Sequence, residues 1–178
     1  VGSITHRKGQ INLVKSLPLI IKQYPKVHYH CVGLPLEVDE LLNTAKQLGV
    51  DRYMTLHGYL TNDQRNELYR QSDIFIMLSQ SKVSFDVEGF GIAILEANLF
   101  GLPAIGSQGT GIEDAILNNK TGKLVSPYIK EEILDGNLNE DEIYKKRKLI
   151  RLEYEAKASA LTTILLLKSG FSVIDQIF

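Results

Sequence analysis

Short apolar runs alternate with stretches of helical periodicity along most of the chain. The apolar runs, each bounded by glycine or polar residues, lie at 27–32, 54–57, 73–78, 103–106 and 122–125. Between them, apolar residues recur every three or four positions, which is typical of amphipathic helices. This alternation predicts parallel strands that are connected by helices.

The order of these elements predicts a doubly wound α/β domain of about six parallel strands, with helices on both faces and a C-terminal helical tail. Residues 1–3 have the pattern of a strand end, so we expect a truncated first strand and a fragment of a longer protein. The domain is expected to cover residues 1–126. Residues 127–178 are expected to form a tail that packs on the same domain.

Local signals mark several helix ends. The first helix is expected from about residue 8 to residue 23, with a kink or a split at Pro18. Gly49 follows a helical pattern and predicts a left-handed cap. Thr61, with Gln64 three residues later, predicts a capping box.

Composition limits the classes of function. The 178 residues are 44% hydrophobic, which is enough for a core, and 20 basic residues nearly balance 21 acidic ones, so nucleic acid is not expected as a partner. The single cysteine, Cys31, lies in a predicted strand and is expected to be a buried thiol. No apolar run approaches the ~20 residues of a membrane span. The longest, at 161–167, is interrupted by threonines, and we expect a cytoplasmic protein.

The segment 88–97 contains the most informative chemistry. Two carboxylates, Glu88 and Glu96, lie eight positions apart around a Gly-Phe-Gly turn that leads into an apolar helix. Glycines at the start of a helix leave N–H groups at the positive end of the helix dipole, which suits phosphate. Carboxylates accept hydrogen bonds from hydroxyls. The pattern indicates a ligand with phosphate in the middle and hydroxyls at both ends, as in a nucleotide sugar.

A structural interpretation of the same glutamates is the alternative. Glu88 would then interact with the helix dipole, and Glu96 would be a solvated helix residue. The apolar neighbours Ile92, Ile94 and Leu95 make a solvent-facing position less favourable for Glu96. In the ligand-binding interpretation, Glu88 lies in the loop and Glu96 in the second turn of the helix.

Lys8 is a candidate for binding a diphosphate. It follows the loop of the first strand, beside His6 and Arg7. Ligands of such sheets bind at the carboxyl ends of the strands, where a lysine offsets phosphate charge. The alternative, a solvated helix start, is disfavoured because the helix dipole repels cations there.

Three histidines and a basic run each allow two interpretations. His28 and His30 have strand spacing, which suggests a metal, but no cysteine or acidic residue completes the set, and edge-strand histidines are favoured. His57 either contacts a ligand or belongs to a turn. The basic run at 145–148 is expected to be a solvated helix face, with contact to anionic lipid as the alternative.

These residues together resemble the family-4 retaining glycosyltransferases of GT-B architecture. The segment 88–97 with 101–103 resembles the E-x7-E region of that family, and residues 1–3 with 7–10 resemble its opening strand and lysine loop. The resemblance covers residues 1–127. Further segments match in order and spacing at 57–60, 72–75, 111–113 and 121–125. Phe171 and Ser172 also resemble the closing segment of the family, with Val173 in place of tryptophan.

The resemblance implies a Rossmann-like, donor-binding C-terminal half. Lys8 would hold the diphosphate and Glu88 the sugar hydroxyls, so these two are the candidate catalytic residues, and Glu96 would bind the ribose. The family has arginine where Ser3 stands, which leaves diphosphate binding to Lys8 and Arg7. The implied donor-binding set is Gly2, Ser3, Arg7, Lys8, Gly58, Tyr59, Leu60, Glu88, Gly89, Phe90, Gly91, Ile92 and Glu96.

The resemblance also implies a function. The whole enzyme would transfer a sugar from a nucleotide-diphosphate sugar to an acceptor, with retention, in cell-surface polysaccharide or glycoconjugate biosynthesis. A glycan or lipid-linked acceptor would bind a separate N-terminal domain, so this fragment alone is expected to be inactive. No cofactor or metal is expected. The implied location is cytoplasmic, with peripheral contact to the inner face of the membrane as an alternative.

Two other functions remain open. The Gly89-Phe90-Gly91 segment resembles part of a dinucleotide fingerprint, which favours an oxidoreductase, but it lacks the third glycine and follows the fourth strand instead of the first. A non-catalytic nucleotide-sugar-binding module is the other alternative, because Ser3 replaces the arginine and the acceptor half is missing.

Overall fold

Two parallel sheets form the centre of the protein in a computed structural model, which describes residues 1–80, 88–128, 130–136, 139, 141–148 and 150. The first sheet pairs β1 (Tyr29–Cys31) with β2 (Met54–Leu56). The second contains β3 (Phe75–Met77), β4 (Ala104–Ser107) and β5 (Gly122–Val125), in that order. All three strand pairs are parallel, which confirms the predicted α/β class.

Helices connect the strands. Helices α1 (Gln10–Gln23) and α2 (Val38–Gln47) flank β1, and α3 (Asn62–Gln71) connects β2 to β3. Helix α4 (Ile92–Leu99) precedes β4, and α5 (Lys130–Gly136) follows β5. Residues 141–148 are also helical.

The second sheet is covered on both faces. Ala104 packs with residues of α3 and α4, such as Tyr69 and Ile94, whereas its neighbour Ile105 packs with Leu13 of α1 and Ile133 of α5. Successive strand residues point to opposite faces, so this separation places α3 and α4 on one side and α1 and α5 on the other. The predicted doubly wound arrangement is confirmed.

The described residues form five strands, fewer than the predicted number of about six. Residues 1–4 run beside the end of β1, where the Gly2 N–H donates to the Val32 carbonyl and the Ile4 N–H donates to the Leu34 carbonyl, both at 2.8 Å. These few residues do not form a strand, and the φ angle of +130° at Gly2 lies outside the extended range. The two sheets are therefore not joined by a shared strand in the described chain.

Helix α1 runs without interruption through Pro18, so of the two predicted outcomes, a kink or a split, the split does not occur. A proline inside a helix costs about 3 kcal/mol. Buried side chains on both sides of it, Val14, Leu17 and Ile20, stabilise the helix by about 1.5–3 kcal/mol each. Packing therefore outweighs the local penalty.

The other local predictions are confirmed. Gly49 adopts a φ of +65° just after α2, and Thr61 and Gln64 form a reciprocal capping box at the start of α3. The Cys31 thiol is free and buried, 3% exposed.

The chain beyond β5 packs on the same body. Arg147 donates to the Ser72 carbonyl at 2.8 Å and lies 3.6 Å from Asp73, and Lys146 donates to the Asn119 carbonyl at 2.6 Å. The expected solvated basic face is therefore partly buried at Arg147, where the Ser72 carbonyl accepts a hydrogen bond, whereas the hydrogen bond of Lys146 is exposed.

Two sequence predictions for the tail lie outside the described residues: the apolar run at 161–167 and the segment that begins at Phe171. Among the residues that are described, no helix combines the length and the apolar character needed to cross a membrane.

Candidate ligand-binding site

Two helices begin at the candidate site in the same unusual way. Left-handed glycines, Gly9 with φ of +70° and Gly91 with φ of +76°, stand at the N-caps of α1 and α4. Neither helix has a side-chain cap or an acidic residue in its first turn. Both therefore present backbone N–H groups without a carboxylate partner, which suits an anionic ligand.

The loop before α1 is fastened to the end of β3. The Gln80 backbone N–H donates to the Arg7 carbonyl, and its side-chain amide donates to the His6 carbonyl, both at 2.8 Å. A Cβ atom at Gly9 would lie 1.8 Å from the Leu78 carbonyl oxygen, so only glycine permits this approach. The cations of the loop are thus held at the carboxyl edge of the second sheet.

Glu88 accepts hydrogen bonds from two cations of this loop. One carboxylate oxygen, Oε2, lies 2.7 Å from Lys8 Nζ and 2.8 Å from an Arg7 guanidinium nitrogen. The Ser79 hydroxyl lies 3.4 Å from the same oxygen. The side chain of Glu88 is 11% exposed and that of Lys8 is 17% exposed. The structure therefore brings together the two residues that the sequence predicts as catalytic.

Burial and charge have opposite effects on Glu88. Burial by itself raises the pKa of the carboxyl, but the hydrogen bond and charge of Lys8, together with Arg7, outweigh it and lower the pKa below its ordinary value of 4.5. Glu88 is ionised at neutral pH and accepts hydrogen bonds only.

The turn that carries Glu88 lies directly on the segment after β4. The Gly111 N–H donates to the Glu88 carbonyl at 3.0 Å. A Cβ atom at Gly111 would lie 1.5 Å from the Gly89 carbonyl oxygen, so glycine is required for this contact. The position of Glu88 thus depends on a second loop at the same edge of the sheet.

Glu96 lies in the second turn of α4, as the sequence predicts, and is partly buried. The Tyr69 hydroxyl donates to its Oε2 at 3.4 Å. Burial, and then the negative charge of Glu96, raise the pKa of Tyr69, so the phenol stays protonated and acts as a donor. The alternative of a fully solvated Glu96 does not fit this environment.

Backbone contacts bring three predicted segments side by side. Gly2 donates to Val32, and the adjacent Gly33 N–H donates to the Gly58 carbonyl at 2.8 Å. The Ser3 carbonyl accepts a hydrogen bond from the Gln10 side chain at 3.0 Å, which ties this segment to the start of α1. The predicted loops at 2–3 and 58–60 therefore meet at one edge.

Other predicted residues remain open to solvent. Tyr59 is 78% exposed, Phe90 42% and Ile92 69%, and Leu60 is partly buried. No hydrogen bond or ion pair in the described part of the chain links these side chains to the group of Glu88, Lys8 and Arg7.

The histidines pair with each other. His30 Nδ1 lies 2.9 Å from His57 Nε2, and His28 Nε2 lies 2.8 Å from the Thr55 hydroxyl. Burial, and then the neighbouring histidines, lower the pKa of His30. The described His, Cys, Asp and Glu side chains include no group of three or more that could hold a metal ion.

Three supporting residues, Ser79, Gln80 and Tyr69, are not among the site residues predicted from the sequence, although the loop from Ser79 to Gly91 was expected at the ligand edge of the sheet. Ser79 and Gln80 are buried polar residues just after β3, at 0% and 5% exposure. Polar residues directly after a predicted strand indicate the ligand edge of such a sheet, so the sequence contained a signal for both. Tyr69 is the only buried residue of α3 among those described, an isolated aromatic in a polar helix.

The fold and the site together define a doubly wound α/β domain with a cation–carboxylate group at the carboxyl edge of a parallel sheet. The family model described as glycosyl transferases group 1 matches residues 1–148. The chain therefore belongs to the glycosyl transferases group 1 family.

Individual relatives support this assignment. A GDP-mannose-dependent alpha-(1-6)-phosphatidylinositol monomannoside mannosyltransferase from Mycobacterium tuberculosis is 31% identical over 137 residues, which cover 76% of this chain and 36% of that protein. The chain thus spans about a third of the length of the curated relatives it matches.

Solved structures have the same fold. The C-terminal domain of the group 1 family glycosyl transferase LpcC from Francisella tularensis aligns with a TM-score of 0.74 and 24% identity, covering 89% of this chain and 83% of that one. HepE from Anabaena, in complex with UDP-glucose, aligns with a TM-score of 0.71 and 25% identity, covering 89% of this chain and 43% of that one.

Proposed function

We propose that this chain is the donor-binding domain of a retaining, family-4 glycosyltransferase that uses a nucleotide-diphosphate sugar. The observation that carries the proposal is the group of Lys8, Arg7 and Glu88, which lies beside the uncapped starts of α1 and α4. The names of relatives support it, because one is GDP-mannose-dependent and another was solved with UDP-glucose.

The cations suit a leaving diphosphate. Lys8 and Arg7 would bind its oxygens, and the N–H groups at the start of α1 would add positive potential. Charge that develops on the leaving group is stabilised most by donors that are already in position. Gln80 and Gly9 hold this loop against the end of β3.

Glu88 has a second role in this proposal. Its carboxylate accepts hydrogen bonds from the same two cations that the diphosphate would need. An incoming diphosphate would take over Lys8 and Arg7, and the ionised Glu88 would then accept hydrogen bonds from the hydroxyls of the donor sugar.

The remaining site residues surround this centre. Glu96 would bind the ribose, and the backbone at 89–92 would lie against the sugar and phosphate. Residues 58–60, with the exposed Tyr59, would lie near the base, and Gly2 and Ser3 would line the diphosphate region.

The acceptor, the biosynthetic role and the location concern the full-length protein. We propose a glycan or lipid-linked acceptor on an N-terminal domain, no resident metal or cofactor, and a place in cell-surface polysaccharide or glycoconjugate synthesis. The cytoplasm, including the inner surface of the membrane, is the proposed location. The phosphatidylinositol mannoside in the name of the mycobacterial relative is consistent with this placement.

Calorimetry tests donor binding. The chain is titrated with UDP-, GDP- and ADP-sugars and with NAD, and Lys8→Ala is compared with Lys15→Ala, which changes an exposed lysine of α1. A hydrogen bond to a charged group contributes about 1.5–3 kcal/mol, so Lys8→Ala should weaken donor binding about 10- to 100-fold. Lys15→Ala should bind like the parent chain.

The outcomes separate the alternatives. Binding of NAD without any nucleotide sugar would contradict the proposal and favour an oxidoreductase. Donor binding without transfer by the full-length protein would favour a non-catalytic module. Retention is checked by NMR of the anomeric proton in the product that the full-length protein forms.

A further inference from the structure

Three histidines lie on one face of the first sheet. The side chains of β1 and β2 that pack into the core are Tyr29, Cys31, Met54 and Leu56. Successive strand residues point to opposite faces, so the residues that alternate with them lie on the other face. These are His28, His30, Thr55 and His57. His30 lies opposite Thr55 in the register of the two strands, and His57 follows two positions later at the carboxyl end of β2.

Two ring nitrogens of this face converge. Nδ1 of His30 lies 2.9 Å from Nε2 of His57, and the two rings are stacked with their centroids 5.2 Å apart. A bond from an imidazole nitrogen to a metal ion is about 2.0–2.1 Å long, so two nitrogens that bind one ion at a right angle are about 2.9 Å apart. The pair therefore has the spacing of two neighbouring ligands of one metal ion.

The angle between the ligands selects the kind of metal. Right angles between nitrogen ligands are typical of the square-planar and tetragonal sites of copper(II) and nickel(II). The tetrahedral angle of zinc would require a separation of about 3.3 Å. Among the described residues no third side chain joins the pair as a ligand. His30 is exposed and His57 is partly exposed, so water can reach the remaining positions.

The protonation state of the pair also suits a metal ion. Burial, and then the neighbouring His28 and His57, lower the pKa of His30, so its ring is neutral at neutral pH. A neutral imidazole carries one proton, so in the hydrogen-bonded pair one facing nitrogen donates to the other. When a metal ion binds, that proton moves to the far nitrogen of its own ring, and both facing nitrogens offer a lone pair. His28 stays outside the pair, because its Nε2 lies 2.8 Å from the Thr55 hydroxyl.

We propose that His30 and His57 form a binding site for one divalent transition-metal ion, copper(II) or nickel(II), with water as its other ligands. The ion would be exchangeable, since only two side chains hold it. It would connect β1 to the residue before Gly58, whose carbonyl accepts a hydrogen bond from the Gly33 N–H at 2.8 Å. The site uses none of the residues assigned to the diphosphate, so it does not depend on the proposed function.

Calorimetric titration with copper(II) chloride and with nickel(II) chloride tests this site. The 178-residue chain is used without an affinity tag and without nucleotide, in a buffer that does not bind metals. The parent chain should bind one ion of either metal, and copper(II) more tightly than nickel(II). His30→Gln and His57→Gln should each weaken binding about tenfold or more, since changes to groups that only support a metal ligand already cost about 10–100-fold.

Two further variants are matched controls. His6 pairs with Glu40 at 2.8 Å, and His28 pairs with Thr55, so neither belongs to the proposed site. His6→Gln and His28→Gln should therefore bind both metals like the parent chain.

Pulsed electron paramagnetic resonance of the copper(II) complex gives a second readout, which does not depend on the stability of any variant. The spectrum of the parent chain should show two imidazole ligands. The spectra of His30→Gln and His57→Gln should each show one.

Three results would overturn the proposal. Equal binding by the parent chain, His30→Gln and His57→Gln would mean an adventitious ion only. Loss of binding in His28→Gln but not in His57→Gln would place the ion on His28 and His30 of one strand. A parent spectrum with a single imidazole ligand would exclude a two-histidine site.

Discussion

At the scale of single residues, Glu88 is a mostly buried carboxylate, and one of its oxygens contacts two positively charged side chains. Its side chain is 11% exposed, and Lys8 and Arg7 lie within 2.8 Å. A buried carboxylate is unfavourable without partners, so the three residues depend on one another. The same contacts keep Glu88 ionised and hold the cations in place.

The pH dependence of stability should report this group. The pKa of Glu88 is lowered in the folded protein, so the unfolded chain binds the proton more tightly. Its stabilising contribution is present above the ordinary carboxyl pKa and is lost as pH falls through the folded value. The difference in unfolding free energy between the parent and Glu88→Gln should therefore shrink as pH falls from about 6 to about 3.

A matched control is Glu67→Gln. Glu67 pairs with Arg70, and both side chains are more than half exposed, at 55% and 59%. Exposed pairs contribute little, so chemical denaturation of this variant should follow the parent at every pH. If the difference in unfolding free energy between the parent and Glu88→Gln stayed constant across this pH range, the assigned ionisation of Glu88 would be contradicted.

Tyr69 is expected to position Glu96 for binding the ribose. Its hydroxyl is the donor to that carboxylate, and Tyr69→Phe removes the hydroxyl while it keeps the buried ring. Loss of such a bond corresponds to about 0.5–1.5 kcal/mol, so the nucleoside diphosphate that binds most tightly should bind about two- to tenfold more weakly. Calorimetry with the matching 2′,3′-dideoxynucleotide separates positioning from general damage. If Tyr69→Phe weakens binding of the dideoxy analogue as much as it weakens binding of the ordinary nucleotide, Tyr69 does not act through the ribose hydroxyls.

At the scale of elements, local signals decide the ends of helices and packing decides their continuity. The capping box at Thr61 needs only neighbouring residues, and the sequence predicts it correctly. The continuity of α1 through Pro18 depends on partners in other elements, and of the predicted kink or split, the split does not occur. The local penalty of a proline is the same wherever it lies inside a helix, so the buried contacts of α1 decide that this helix continues.

Two glycines should tolerate substitution unequally: Gly89 in the turn at 88–91, and Gly111 in the loop that contacts this turn. A Cβ at Gly111 would collide with the Gly89 carbonyl oxygen, whereas a Cβ at Gly89 meets no atom within 4 Å. Gly111→Ala should therefore destabilise the protein by about 1–3 kcal/mol and weaken donor binding, because it displaces the turn that carries Glu88.

Gly89→Ala serves as the steric control in the same thermal unfolding experiment. Its effect on stability should be about 1 kcal/mol or less, since the added methyl group meets open space. Equal destabilisation by the two alanines would show that backbone freedom, and not the contact between these two loops, matters there.

At the scale of the whole molecule, charge is balanced globally and concentrated locally. The net formal charge is −1, so long-range attraction of an anionic donor is not expected. In the proposed function, attraction would instead depend on Lys8, Arg7 and two helix starts at one edge of the sheet.

The sequence by itself determined the α/β class, the order of most elements and the segments that form the site. These follow from periodicity, glycine positions and capping residues, which act over a few neighbouring residues. The choice of Lys8 and Glu88 as candidate catalytic residues also followed, through the resemblance of their motifs to a family.

Only the tertiary structure decided the ion pair of Glu88 with Lys8 and Arg7, and the support from Gln80, Tyr69 and Gly111. Lys8 and Glu88 are 80 residues apart along the chain, and no local pattern fixes a distance across such a separation. The physical reason is that side-chain pairing and strand pairing depend on where distant elements pack, which burial decides for the chain as a whole.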